Sequence, residues 1–167
     1  GERLEVAVAT GGCERTRGGF ENLLHAGAAT ILQPDMAYCG GPTEALKIRA
    51  LASAKGVNVV PHCWGTQLNL ACAAHFLAAA GVGRGRAESQ ALWVEVASSP
   101  KPMRTEIYRA SVVVSGGCVQ VPQGAGLGVE PDLKEMQPFC INQTEIKNDA
   151  DVSNVDRSKS GRFEQTY

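Results

Sequence analysis

Four points in this sequence carry side chains, or a conspicuous lack of them, where chemistry could be done: Gly11 with Gly12, Asp35, His62 and Glu95. Each follows its own short apolar run, in "VAVAT", "ILQP", "VNVVP" and "ALWV". A carboxylate beside an imidazole can work as a proton-transfer pair, because the carboxylate fixes the imidazole tautomer and raises its basicity. A second reading of Asp35 and His62 is local: Asp35 caps a turn ahead of Gly40 and Gly41, and His62 hydrogen-bonds within a loop. The residues alone leave both open. Glu95, following Trp93 and Val94, reads either as a group that binds a hydroxyl or a protonated substrate carboxylate, or as an ordinary strand-end acid. Cys63 and Trp64 would line the same mouth as His62.

The elements that must position these groups follow from the hydrophobic spacing. Residues 4–10, "LEVAVAT", alternate and are rich in valine, as a strand requires. "FENLLHAGAA" then sets Phe20, Leu23, Leu24 and Ala28 at helical spacing. "TILQ" is a short strand before Pro34, and Pro42 opens a helix that Gly56 stops. The unit repeats with a strand at "VNVV", a helix over residues 67–80 that is apolar on several faces, a glycine-arginine loop at 81–87, and a fourth strand at "ALWVEVA". Strands alternating with helices predict a parallel sheet with helices outside, and ligands of such architectures meet the C-terminal strand ends. Neighbouring strands lie less than about 5 Å apart, so Asp35 and His62 on consecutive strands are within reach of each other.

Beyond residue 97 the pattern changes. "SSPKPM" is a turn-rich link, "ASVVVSGGCVQVP" predicts a hairpin around Gly116 and Gly117, and a glycine-rich loop feeds a short helix. The expected organisation is a β/α repeat over 1–97, a segment over 98–140 that packs back on it, and a polar tail over 141–167 that contacts a partner. With 167 residues and 44% hydrophobic content the chain suits one domain, yet a closed eight-stranded barrel takes about 250 residues. A net charge of −1 gives no positive field for nucleic acid or anionic membrane. No apolar run reaches membrane-spanning length, and the six cysteines lack the close pairing of zinc or redox motifs. The expected setting is soluble and intracellular, in the cytoplasm or an organelle matrix. "QGAGLGVE" lacks the spacing and strand-to-helix context of a dinucleotide loop, and His25 and His75, inside helices, read as structural.

Together, "VAVATGG", "ILQPDMAYCGGPTEALKIRALASAKGVNVVPHCWG", "WVEVASSPKP" and "VPQGAGLGVEPD" resemble the C-terminal part of the enolase superfamily, in its mandelate racemase and acid-sugar dehydratase branch. The resemblance runs from about residue 4 to residue 135. It implies an α/β fold that is a partial (β/α) barrel, a half TIM barrel comprising strands five to eight, with an irregular C-terminal extension. It implies that Asp35 and His62 are the dyad ending the sixth and seventh strands, that Glu95 is the substrate-contacting carboxylate of the eighth, and that magnesium holds the substrate carboxylate. The "PHCWG" wording resembles dehydratases and cycloisomerases of sugar acids.

Two departures follow from the same comparison. Gly12 stands where the family has a metal-binding glutamate, and Glu14 could replace it only through a remodelled loop; Arg17 and Phe20 keep the family's spacing, so the register is not shifted. The sequence also holds no counterpart of the capping domain, the first four strands, two further metal ligands or the catalytic lysine. The expectation is therefore a half barrel completed by an obligate protein partner or by oligomerisation. The favoured function is a catalytically degenerate, cofactor-free accessory subunit of a larger complex. The alternative is the C-terminal chain of a split magnesium-dependent acid-sugar dehydratase, which removes a proton next to a carboxylate with loss of water.

Overall fold

A computed structural model describes residues 5–79 and 92–140. Its centre is a three-stranded parallel sheet in sequence order: β1 (Ala9–Thr10), β2 (Ile31–Leu32) and β3 (Asn58–Val59). Ala9 pairs with Ile31 and Ile31 with Asn58, so the strands run level. Backbone bonds extend the pairing toward the C-terminal ends. Gln33 N–H donates to the Thr10 carbonyl at 2.9 Å, Val60 N–H to Leu32 at 3.0 Å and His62 N–H to Pro34 at 3.2 Å. This last bond makes Asp35 and His62 an isolated parallel bridge, the final rung before the chains diverge.

Helix α1 (Thr16–His25) follows β1 and begins before the expected apolar stretch. Gly18 and Gly19 in its first turn disfavour a helix, and no side chain caps it. Tertiary partners take over: the Thr16 amide donates to the Cys39 carbonyl at 3.1 Å, and the Arg17 amide to Glu44 Oε1 at 3.0 Å. The Arg17 Nε also bonds that carboxylate at 2.9 Å, and the amide bond above all holds Glu44 below its ordinary pKa. The helix ends where Gly27, at φ 57°, lets the Gly27 and Ala28 amides turn back to Leu24 and Leu23. Helix α2 (Pro42–Ala54) starts with Pro42 after Gly41, and α3 (Gln67–Ala79) follows β3.

The core lies between this sheet and these helices. Phe20, Leu32, Cys39, Ala45, Ile48 and Ala52 are fully buried and pack with Met36, Cys72, Phe76 and Leu77. Helix α3 is buried on most sides, as its unbroken apolar composition demands. Full burial of Phe20 or Ile48 contributes about 1.5–3 kcal/mol each. Gly11, at φ 113°, is fixed by both backbone and packing, since a Cβ there would fall 2.6 Å from the Phe20 ring.

The predicted fourth strand is corrected. Among the described residues, 92–97 make no ladder pairing, and Trp93 is 70% exposed. The outward edge of β3 explains this. Alternate amides face opposite neighbours, so the donors available on that side include positions 61 and 63. Pro61 has no N–H, and the Cys63 amide donates at 3.3 Å to the side-chain Oε2 of Glu95 instead of to a backbone carbonyl. The segment approaches β3 without joining its sheet.

After it come a short helix α4 (Pro102–Thr105), β4 (Tyr108–Ala110), β5 (Val114–Ser115), β6 (Cys118–Val119), β7 (Glu130–Pro131) and α5 (Leu133–Met136). β4 pairs antiparallel with β7, while β5 and β6 form the hairpin expected at Gly116 and Gly117. The loop at 81–87, the start of "ALWVEVA" and the tail 141–167 lie outside the described residues. Among the described residues no helix is long and apolar enough to cross a membrane.

Candidate functional site

Asp35 and His62 meet at the C-terminal ends of β2 and β3. Asp35 Oδ2 lies 2.8 Å from His62 Nδ1, so the carboxylate assigns the ring proton to Nδ1 and leaves Nε2 as the acceptor. Asp35 is 1% exposed, and its other oxygen accepts from the Ala37 amide at 2.7 Å and from Asn69 Nδ2 at 3.1 Å. Three donors thus hold one buried carboxylate, which offsets its desolvation and fixes its direction. The His62 side chain is partly exposed, and its Nε2 stands 4.0 Å from Glu95 Oε2.

Gly12 lies on the other side of the imidazole. A Cβ at Gly12 would sit 3.0 Å from His62 Cγ and Cδ2, closer than ordinary packing allows. The sheet therefore brings Gly12, Asp35 and His62 to one place, and Glu95 reaches the same place from outside the sheet, through its side chain.

The flanking residues divide. Cys63 is buried, and its thiol is pushed up to about 12 by burial, with the negative charges of Asp35 and Glu95 adding to the effect. It is a packing thiol at neutral pH, not a nucleophile. A cavity of about 190 Å³ is lined by Cys63, Gly65, Thr66, Leu70, Val96 and Arg104 among others, with neither Asp35 nor His62 in its lining. Trp64 is 56% exposed and carries the Lys101 ammonium 4.7 Å above its ring.

Two residues at this site escape the sequence reading. Asn69 is 6% exposed in α3 and orients Asp35; its Oδ1 is the buried side-chain atom without a partner among the described residues. The signal for it is an amide in the first turn of a helix otherwise nearly all apolar. Arg104, 9% exposed, gives its guanidinium to four backbone carbonyls in the loops that carry His62 and Glu95.

The magnesium that the resemblance implies does not fit these residues. Such an ion takes oxygen ligands, and Gly12 has no side chain to offer one. The Glu14 carboxylate lies over Gly19 of α1 instead of reaching toward His62. Among the described residues no cluster of three or more His, Cys, Asp or Glu could hold a metal ion.

A parallel β/α sheet whose strand ends present an aspartate–histidine dyad defines an α/β fold of the kind seen in part of an enolase-type barrel. The family model described as enolase C-terminal domain-like matches residues 2–136, and the chain belongs to that family. It is similar to D-galactarolactone cycloisomerase of Agrobacterium fabrum, with 38% identity over 134 residues, 80% of this chain and 35% of that protein. It is also similar to L-rhamnonate dehydratase of Saccharopolyspora erythraea, with 34% identity over 138 residues, 80% of this chain and 33% of the relative. The crystal structure of 3,6-anhydro-D-galactonate cycloisomerase from Zobellia galactanivorans superposes with a TM-score of 0.70 at 29% identity, over 83% of this chain and 37% of that one. The chain thus spans about a third of the length of the curated relatives it matches.

Proposed function

We propose that this chain supplies the proton-transfer side of an acid-sugar-processing site and is catalytically silent by itself. The observation that carries this reading is the 2.8 Å contact between buried Asp35 and His62 Nδ1, which leaves Nε2 outward as a base. His62 would take the proton from the carbon next to a substrate carboxylate, or return one to a departing hydroxyl. Asp35 stabilises the imidazolium that forms, and Glu95, close to Nε2, binds a substrate hydroxyl. Sugar acids are the substrate class because the relatives include a galactarolactone cycloisomerase and a rhamnonate dehydratase. The metal-binding groups of such a site would come from outside the residues described here.

A second reading is a structural or accessory subunit, and the little room left between Gly12 and the His62 ring for a side chain favours it. A Cβ at that position would fall 3.0 Å from the imidazole, so a side chain there needs the ring to give by a few tenths of an ångström while Asp35 holds it. On either reading the outer edge of β1, the terminal strand of the described sheet, beside exposed Val6, calls for a further polypeptide segment to cover it.

The deciding measurement takes the native assembly containing this chain, adds magnesium and a panel of sugar acids in deuterated water, and follows the proton next to the carboxylate by NMR. Exchange or loss of water that disappears in His62→Asn supports the proton-transfer reading. Turnover indifferent to His62→Asn, or none at all, leaves the accessory role.

A further inference from the structure

We infer that Arg104 is a positioning residue that sets the placement of Glu95 against His62, in place of the sheet pairing that 92–97 lacks. The inference rests on the proposed reading of Asp35, His62 and Glu95 as one site. On the β2 side of His62, backbone bonds fix the register up to the His62 amide. On the other side that ladder stops, because Pro61 offers no donor and the Cys63 amide bonds a side chain.

Arg104 bridges the gap. Its Nε donates to Gly65 O at 3.1 Å and its Nη2 to Trp64 O at 3.2 Å, both just beyond His62 and Cys63. Its Nη1 donates to Ala97 O at 3.2 Å and to Ser99 O at 2.7 Å, just beyond Glu95. One rigid, planar group therefore spans both loops, with two bonds to each. A guanidinium suits this role because its five donors radiate in fixed directions, whereas a lysine ammonium is a single point on a flexible stem. No carboxylate pairs with Arg104 among the described residues, so its visible work is done on backbone. The consequence is local: without Arg104, Glu95 loses its fixed approach to the Cys63 amide and to His62 Nε2.

The Cys63 amide proton reports this directly, since Glu95 Oε2 is its acceptor. In the isotopically labelled full chain, Glu95→Gln should move that resonance upfield by about half a ppm, because a charged acceptor is replaced by a neutral one. With Arg104→Gln, the response to Glu95→Gln should vanish and the Cys63 amide should exchange with solvent at least about tenfold faster, while the His62 amide, bonded to Pro34, keeps its protection. If Arg104→Gln does not fold, Arg104→Lys serves, with the response expected to fall by about half. The same response to Glu95→Gln with and without Arg104, or an undiminished response in Arg104→Lys, overturns the clamp and leaves the dyad reading standing. A Cys63 amide that ignores Glu95→Gln in the native background overturns the clamp together with the placement of Glu95 in the site.

Discussion

On one side of His62, main-chain bonds from Gln33, Val60 and His62 itself carry the parallel register from β1 through β3, and Asp35 arrives beside the imidazole as the last rung. On the other side, Glu95 arrives on a segment that has no rung among the described residues, held by its own carboxylate on the Cys63 amide and by the four carbonyl bonds of Arg104. Every residue type except proline carries the groups that build a ladder, so most substitutions there leave the register intact. A junction built on one side chain is lost with that side chain. Gly12, Asp35 and His62 all lie on the ladder side, where the backbone bonds, not the side chains, set the register.

The largest expected effect sharpens this contrast from the ladder side. Asp35→Ala leaves the Ala37 amide, Asn69 Nδ2 and the His62 ring without their acceptor, with the Asn69 bond buried and the other two partly buried. The cost should be about 3 kcal/mol in urea unfolding. Amide exchange at Val60 and His62 should nevertheless stay slow relative to the lowered global stability, since their acceptors are backbone carbonyls. Selective opening of those amides would mean that the carboxylate, not the ladder, sets the register.

Arg104→Met should cost somewhat less, about 2 kcal/mol, because part of the released carbonyl set reaches water. Its signature is distribution: faster exchange at Cys63, with β1, β2 and β3 unaffected. A loss exceeding that of Asp35→Ala would reverse the ranking of the two junctions.

Gly12→Ala is smaller again. The new methyl must push the His62 ring by a few tenths of an ångström while Asp35 holds it, and the cost should be about 1 kcal/mol. Perturbed imidazole resonances with little change elsewhere would show that Gly12 and His62 are packed as a unit. A neutral or stabilising substitution would show that the ring has room, weakening the accessory reading.

The ladder side was legible in the sequence and the clamp side was not, for physical reasons. Asp35 and His62 each end a valine- or isoleucine-containing run at a proline, and parallel strands of similar length bring such ends together. The dyad is thus visible as a repeat of position. Residues 91–97 show the same alternation, and nothing local reveals that Pro61, thirty residues earlier, removes a donor from the edge they would join. Arg104 is harder still to see. It works through carbonyls, which every residue carries, so no pairing of residue types marks its partners. Asn69 left a fainter trace, an amide in an apolar helix, which signals a buried partner without saying which.

The smallest expected effect separates the junctions through their thiols. Cys39, on the ladder side, and Cys63, beside the clamp, are pushed up to about 11 and about 12 respectively, in both cases mainly by burial. Below their ordinary value of 9.0 the folded and unfolded chains both keep these protons, and stability is unaffected. As pH rises above it, the unfolded chain releases them first, so stability falls until the folded thiols ionise in turn. Alkylation at pH 9 should therefore modify exposed Cys13 and Cys118 while sparing Cys39 and Cys63. In Arg104→Met the order within the protected pair becomes the test. If the clamp alone closes the loop over Cys63, that thiol should become reactive while Cys39, packed in the core of the ladder side, stays shielded. Equal exposure of both would mean that the two junctions open together and that the division between backbone and side-chain registration does not survive in solution.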